Sequence, residues 1–526
     1  MSELDFWGIN MKILSSYIAG EWCSGTDEGS ALYDPVTEAV VARTSTAGLS
    51  IANAFESART NGLQSLREMT FRQRGELLEA MSKCLHEARE DLIEIGRVNG
   101  GNTRGDAKFD IDGGTATLMY YAKLGAKLGD RKVLLDGEAI TIGGARMQGQ
   151  HVLSTRPGVA VHINAFNFPV WGLAEKAACA ILAGMPVISK PATSTAWMTW
   201  HAVKVLDAAN LIPSGVLSLI CGSARDLLDH VSWSDVVAFT GGAETAHTIR
   251  THPRVLETGA LVNVEADSLN ATVLVPGVAD ETYDAFIRDV HREMTQKSGQ
   301  KCTATRRIFV PLEQMDEVIE DLGEKLNTTR VGDPGLDGIQ MGPLSSMSQK
   351  ASALVGIEQL LTQGTLVYGH PTEGALEGVT DGKGAFIQPT LIRANETGPD
   401  AHVHNIEVFG PVASIIGYDS TVDDVARQVS YGQGCLVTAV YGDDRSFLAD
   451  FIAQTAPWNG RIVMTDAKIA AKSYSPGMVL PHLLHGGPGR AGGGEELGGV
   501  RGMRIYQQRT AVQGNGPLIS KLLGAD

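Results

Sequence analysis

The chain has 526 residues, with 44 Lys and Arg against 60 Asp and Glu, a formal charge of −16 at pH 7. Hydrophobic residues make up 43% and charged residues 20%, the balance of a globular chain and not of a disordered one. The acidic surplus argues against a nucleic-acid partner. The longest apolar run, Ala177 to Ile188, is interrupted by Gly184 and Pro186 and falls short of the about 20 residues of a membrane span.

At about 100–200 residues per domain, the length suggests roughly three structural units. The opening MSELDFWGIN has acids where a signal peptide needs a basic region, so a cytoplasmic location is expected. Six cysteines, at 23, 84, 179, 221, 302 and 435, lack CxxC or metal-ligand spacing, which fits a reducing compartment and no metal.

In chain order, Thr70 to Gly96 reads as a helix, with Leu77, Leu78, Met81, Leu85, Ala88, Leu92 and Ile95 at spacings of three and four. From residue 158 short strands and helices alternate. Gly158–Asn164, Met185–Ser189, Val216–Ile220 and Asp235–Phe239 read as strands. Val170–Ala183, Ser194–Leu211 and Asp226–Val231 read as the intervening helices. That alternation means βαβ units and a parallel sheet, which binds ligands at the carboxyl ends of its strands. Four turns follow those ends, at Asn164–Pro169, Lys190–Thr193, Cys221–Ser223 and Thr240–Gly242, and are expected to converge on one crevice. A second alternating region runs from Ala271 to about His482.

Cys302 lies in a turn between a helical pattern ending at Ser298-Gly299 and the apolar run Ile308–Val310. Lys297 and Lys301 are close in sequence, and nearby cations lower a thiol pKa and expose a nucleophilic thiolate. A buried small residue is the competing reading. Glu265 ends the run Leu261–Val264 at the crevice and suits a general base if desolvation raises its pKa; Asp267 competes for that role, and a solvated strand-end acid is the plain alternative. Asn167, in a strand-to-helix turn, offers an amide to an oxyanion or simple turn chemistry. The Gly-rich stretch 486–499 lacks the GK[ST] of a phosphate loop. His402, His404, His482 and His485 have no evident metal partners and read as surface or structural residues. No GxSxG elbow is present.

Together these segments resemble the aldehyde dehydrogenase superfamily. Asn164-Ala-Phe-Asn-Phe-Pro169 is similar to its PWNFP segment, Lys190-Pro-Ala-Thr193 to KPAE, and Phe239-Thr-Gly-Gly242 to FTGS. Gly299-Gln-Lys-Cys302 is similar to GQxC and Glu407-Val-Phe409-Gly-Pro411 to ExFGP. The order matches from Tyr17–Trp22 to about Gln513. Glu265-Ala-Asp-Ser-Leu-Asn270 replaces the usual ELGG. With Asp110–Gly114 and residues 485–499, it resembles the ring-opening semialdehyde dehydrogenases of aerobic CoA-dependent phenylacetate and benzoate catabolism, in a stand-alone version without a hydratase domain.

The resemblance implies an α/β fold with a doubly wound cofactor-binding domain (11–141 and 159–265), an α/β catalytic domain (266–484) and a small β oligomerisation flap (142–158 and 500–518). It implies Cys302 as nucleophile, Glu265 as general base and Asn167 as oxyanion donor. Cofactor contacts are implied at Ile163, Lys190, Thr193, Gly222, Gly241, Glu407 and Phe409. Thr193, where the family often has Glu, removes a charge that would repel a 2′-phosphate, so NADP is expected before NAD. The implied substrate is 3-oxo-5,6-dehydrosuberyl-CoA semialdehyde, with 3,4-dehydroadipyl-CoA semialdehyde, or general aldehydes, as alternatives. The implied partners are a second copy of the chain and a separate enoyl-CoA hydratase. A CoA-acylating enzyme is disfavoured because such enzymes typically lack the Glu, and an idle hydratase-binding scaffold because the three catalytic groups are kept.

Overall fold

The computed structural model describes residues 12–144, 146–223 and 226–523. Two seven-stranded sheets carry most of the chain. In the first, the strands run in the order Leu261–Glu265, Val236–Thr240, Ala160–Ile163, Val187–Lys190, Leu217–Leu219, and then the hairpin Ser16–Ile18 and Glu21–Cys23. The first five are parallel and the hairpin joins antiparallel. Winding starts at Ala160–Ile163 and proceeds in both directions, so the chain order reverses between that strand and Val236–Thr240. Such a switch point opens a crevice at the strands' carboxyl ends.

Strand alternation divides the core. Ala160, Val187 and Val236 point into the larger apolar cluster, whereas Val161, Ile188 and Val237 point into a second one on the other face. The helix Trp171–Ala183 lies in the larger cluster and is buried at every position except Glu175, as expected for a helix apolar all round. The second sheet runs Gly364–Tyr368, Thr390–Ala394, Val412–Tyr418, Arg307–Pro311, Ala271–Leu274, Cys435–Tyr441 and Asn459–Thr465, parallel except for its first strand. A small antiparallel sheet pairs Met147–Thr155 with Gln507–Asn515 through nine residue pairs. Among the described residues no helix is long and apolar enough to cross a membrane.

Two local readings change. The helix expected over Thr70–Gly96 is two, Phe71–Glu87 and Arg89–Gly100, separated at Ala88. Thr70 starts the first with a capping box to Gln73. The helix expected over Asp226–Val231 is one 3₁₀ turn, Leu227–His230, because Val231 is already extended toward the next strand.

Candidate active site

Cys302 follows a backbone turn that most sequences avoid. Lys297, Ser298 and Gly299 all adopt left-handed conformations, with φ of 54°, 53° and 68°. Each non-glycine residue there costs roughly 1–2 kcal/mol. The surroundings hold the turn in place. Lys297 N–H donates to Asp106 Oδ1 at 3.0 Å, and Ser298 Oγ donates to the Gly342 carbonyl at 2.7 Å. A Cβ on Gly299 would lie 2.1 Å from the Gly410 carbonyl oxygen, so glycine is required. The buried Arg306 guanidinium then donates to the carbonyls of Gly410, Gly299 and Lys301 at 2.9, 3.0 and 3.3 Å. Asn270 Nδ2 holds the Cys302 and Ala304 carbonyls at 2.7 and 2.9 Å. The nucleophile candidate therefore sits on an over-determined loop.

The lysines beside Cys302 in sequence do not serve it. Lys301 Nζ pairs with Glu293 at 2.8 Å, and Lys297 Nζ lies 4.6 Å above the Phe168 ring. The thiol is instead raised well above its usual pKa, first by burial and then by the Glu265 carboxylate. That corrects the expectation of a sulfur activated by Lys297 and Lys301.

Glu265 ends the strand Leu261–Glu265 and is buried. Its Oε2 lies 3.2 Å from His485 Nε2, and the same nitrogen lies 3.9 Å from Cys302 Sγ. The three side chains hold their donor atoms within 4.8 Å of one another. Burial pushes the Glu265 carboxyl up, but His485 and Lys176 outweigh it and hold the group below its usual range. Desolvation thus does not move this acid toward neutrality, contrary to the sequence reading. Asp267 is turned away: its Oδ1 accepts the Ala243 N–H at 3.0 Å, at the start of the helix Ala243–Arg250. Asn167 lines the same cavity as Cys302 and Glu265, and its Nδ2 donates to the Gln300 carbonyl at 3.1 Å, leaving a second N–H. The cavity is small, about 40 Å³, and is walled on one side by Phe109, Phe168 and Trp171 in edge-to-face contact.

Sequence reasoning missed His485, Lys176 and Glu496. The Gly-rich stretch is what delivers two of them. Its hairpin pairs Leu484–Gly486 with Glu495–Leu497, setting His485 opposite Glu496. The segment then lies on the end strand of the first sheet, with Ala266 N–H donating to the Ala491 carbonyl and Gly494 N–H to the Val264 carbonyl, both at 3.0 Å. A Cβ at Gly492 or Gly494 would come 2.3 or 2.4 Å from the Val264 oxygen. The glycines thus serve close backbone approach. The Glu175-Lys176 pair inside a helix otherwise apolar is the one legible signal; Lys176 Nζ pairs with Glu496 at 3.1 Å and Glu175 at 3.3 Å.

The residues proposed for a cofactor are not among those lining that cavity, but Ile163 and Gly241 adjoin Asn164 and Thr240, which are. Ile163, Lys190, Gly222 and Gly241 stand at or just past the ends of four parallel strands, and Thr193 opens a 3₁₀ turn behind Lys190. Lys190 Nζ makes one long contact, 3.4 Å to the Pro191 carbonyl, and burial lowers its pKa. Glu407 accepts the Ser268 N–H at 2.9 Å and lies 3.5 Å from Arg306 Nε; burial pushes it up to about 7. The Phe409 ring packs edge-on to Phe166 and under the Arg306 guanidinium.

Residues 22–509 match the profile of the aldehyde dehydrogenase family. A 3,4-dehydroadipyl-CoA semialdehyde dehydrogenase of Aromatoleum evansii is 42% identical over 478 residues, covering 90% of this chain and 93% of that protein. An alpha-ketoglutarate semialdehyde dehydrogenase of Haloferax volcanii is 28% identical over 83% of this chain and 87% of its own length. In fold, the chain is similar to an aldehyde dehydrogenase of Bacillus cereus solved with NAD+, at a TM-score of 0.84 and 24% identity, covering 98% of this chain and 99% of that one.

Proposed function

The chain belongs to the aldehyde dehydrogenase family, and from that premise we propose that it oxidises 3,4-dehydroadipyl-CoA semialdehyde to the carboxylate with a nicotinamide dinucleotide. The observation that carries the substrate is the 42% identity, over nine-tenths of both chains, to the Aromatoleum evansii protein of that name. It reverses the order reached from the sequence, in which the longer 3-oxo-5,6-dehydrosuberyl-CoA semialdehyde came first.

The crevice residues fit a dinucleotide. Among the described residues, Lys190 has donors to spare and Thr240 Oγ1 is buried without a partner, and a Cβ on Gly241 would strike the Phe239 ring at 2.5 Å. Lys190, Thr193 and Gly222 would hold the adenosine end, and Glu407 the nicotinamide ribose. When bound, the cofactor accepts a hydride. The chain's own groups do the rest. Cys302 sulfur adds to the aldehyde, and the second Asn167 N–H with the Cys302 backbone N–H holds the oxyanion. Loss of hydride leaves a thioester on Cys302. Glu265 takes a proton from the water that hydrolyses it, and the Phe109, Phe168 and Trp171 wall keeps bulk water from the thioester.

An open cleft one helical turn from Phe109, lined by Arg97, Arg104, Arg288, Arg292 and Lys325 and reaching Gln296, supports a CoA handle. Glu94, Asp106, Asp333 and Asp337 line it too, but Arg292 and Lys325 carry no ion pair among the described residues. The test is kcat/KM for the two CoA semialdehydes and for the same semialdehydes as free acids. The six-carbon CoA substrate is expected to be the best; equal values for CoA ester and free acid would reduce the enzyme to a general aldehyde dehydrogenase.

A further inference from the structure

Cys302 is half-buried beside acids. The carboxylates of Glu265, Glu175 and Glu407 all disfavour a thiolate there. Among cations, Lys297 and Lys301 are engaged elsewhere, as described above. Arg306 is committed to three carbonyls and Glu407, and Arg461 donates to the Pro476 carbonyl at 2.8 Å; both guanidiniums favour a Cys302 anion through space without a hydrogen bond to it. Among the described residues, the cationic side chain that brings a polar atom into contact with the sulfur is His485, at 3.9 Å.

We propose that the imidazolium of His485, held in place by Glu265, is the counter-charge that makes Cys302 a thiolate, and that it does so by exchanging one anionic partner for another. This builds on Cys302 as the nucleophile. In the resting state the Nε2 of His485 lies 3.2 Å from Glu265 Oε2 and 3.9 Å from Cys302 Sγ, so it reaches both anionic partners. On activation the Sγ–H bond breaks and an O–H bond forms on Glu265. The Nε2–H then turns from the neutralised carboxyl to the sulfur anion. No proton enters or leaves, and one buried ion pair replaces another, so the step avoids creating an unpaired charge. Glu265 then sheds that proton to solvent before it serves the hydrolytic water.

The arrangement is supported by the charges that face His485. Burial alone would discharge the imidazole and Arg461 opposes its protonation, but Glu265, with Glu175 behind it, outweighs both and raises its pKa. Glu496, opposite His485 in the hairpin, is neutralised by Lys176 at 3.1 Å, so the hairpin adds no competing free anion.

The experiment is the pH profile of iodoacetamide alkylation of Cys302 in the full chain, with the modified residue located by mass spectrometry and no aldehyde or cofactor present. Wild type is expected to alkylate through a lower inflection than variants that lack the imidazolium. His485→Gln is expected to move the inflection up by at least about one unit, an about tenfold loss of rate near pH 7. His485→Phe, which fills the space without a charge, is expected to behave as His485→Gln does. An unchanged profile in a folded variant overturns the proposal. Because the assay reads sulfur alone, an incorrect substrate assignment leaves its outcome unchanged, whereas Cys302→Ala retaining aldehyde oxidation would overturn the catalytic reading itself.

Discussion

Cys302 and Glu265 share one buried site but act at different steps, so their variants separate. Cys302→Ala is expected to abolish aldehyde oxidation. Glu265→Gln is expected to accumulate an acyl adduct on Cys302, visible as a mass shift, with turnover reduced by about 10²–10⁴; rapid turnover without an adduct would remove Glu265 as the hydrolytic base. The Glu265–His485 pair also links stability to pH. His485 is raised above 6.5, so its contribution is complete below that value and is lost as pH rises through the folded pKa. Glu265 is lowered below 4.5, so its contribution is present above that value and lost only in stronger acid. The melting temperature of wild type is therefore expected to exceed that of His485→Gln most clearly near pH 5–6 and to converge with it in alkali. A gap that widens with pH would contradict the pairing. At the cofactor end, Thr193→Glu is expected to shift kcat/KM from NADP toward NAD, because a carboxylate repels a 2′-phosphate. A wild-type preference for NAD would refute the NADP expectation.

The elements that carry these side chains differ in how plainly the sequence announces them. The parallel strands are short apolar runs closed by Asn, Lys or Gly turns, and a local period suffices to place Asn167, Lys190 and Gly241 at strand ends. The break at Ala88 left no trace because the apolar spacing continues across it. The left-handed turn at Lys297–Gly299 was equally hidden, since two of its three residues are not glycine and its support comes from Asp106, Gly342 and Gly410. His485 lies 183 residues from Cys302, and the hairpin that delivers it is recognisable only once Gly492 and Gly494 are seen against Val264. Gly299→Ala tests the turn directly. The added methyl would meet the Gly410 oxygen, so the variant is expected to lose about 3 kcal/mol or more of stability, read by chemical denaturation. Near-wild-type stability would mean that the loop relaxes and is not over-determined.

For the molecule as a whole, two surfaces point outward. The strand Gln507–Asn515 pairs with Met147–Thr155 on one side only and leaves a nine-residue edge, an arrangement proteins rarely leave uncovered. A dimer or larger assembly is therefore expected by light scattering, and a monomer at micromolar concentration would contradict it. The second surface is the arginine-lined cleft. Burial first, and then the charges of Lys325 and Arg292, hold His291 down to about 4, so these two cations act on this wall of the cleft in a chain of net charge −16. A CoA ester carries its phosphates far from the aldehyde, so their binding energy can position the carbonyl against Cys302 without touching it. Arg292→Glu combined with Lys325→Glu is thus expected to raise KM for the CoA semialdehyde by about tenfold or more at low salt, with kcat little changed. The penalty should shrink as ionic strength rises, because both side chains are exposed. The free-acid semialdehyde, lacking the phosphates, should react equally with both enzymes. If the CoA substrate also ignores the double reversal while wild type still prefers it to the free acid, the handle is bound elsewhere and the cleft has no part in recognition.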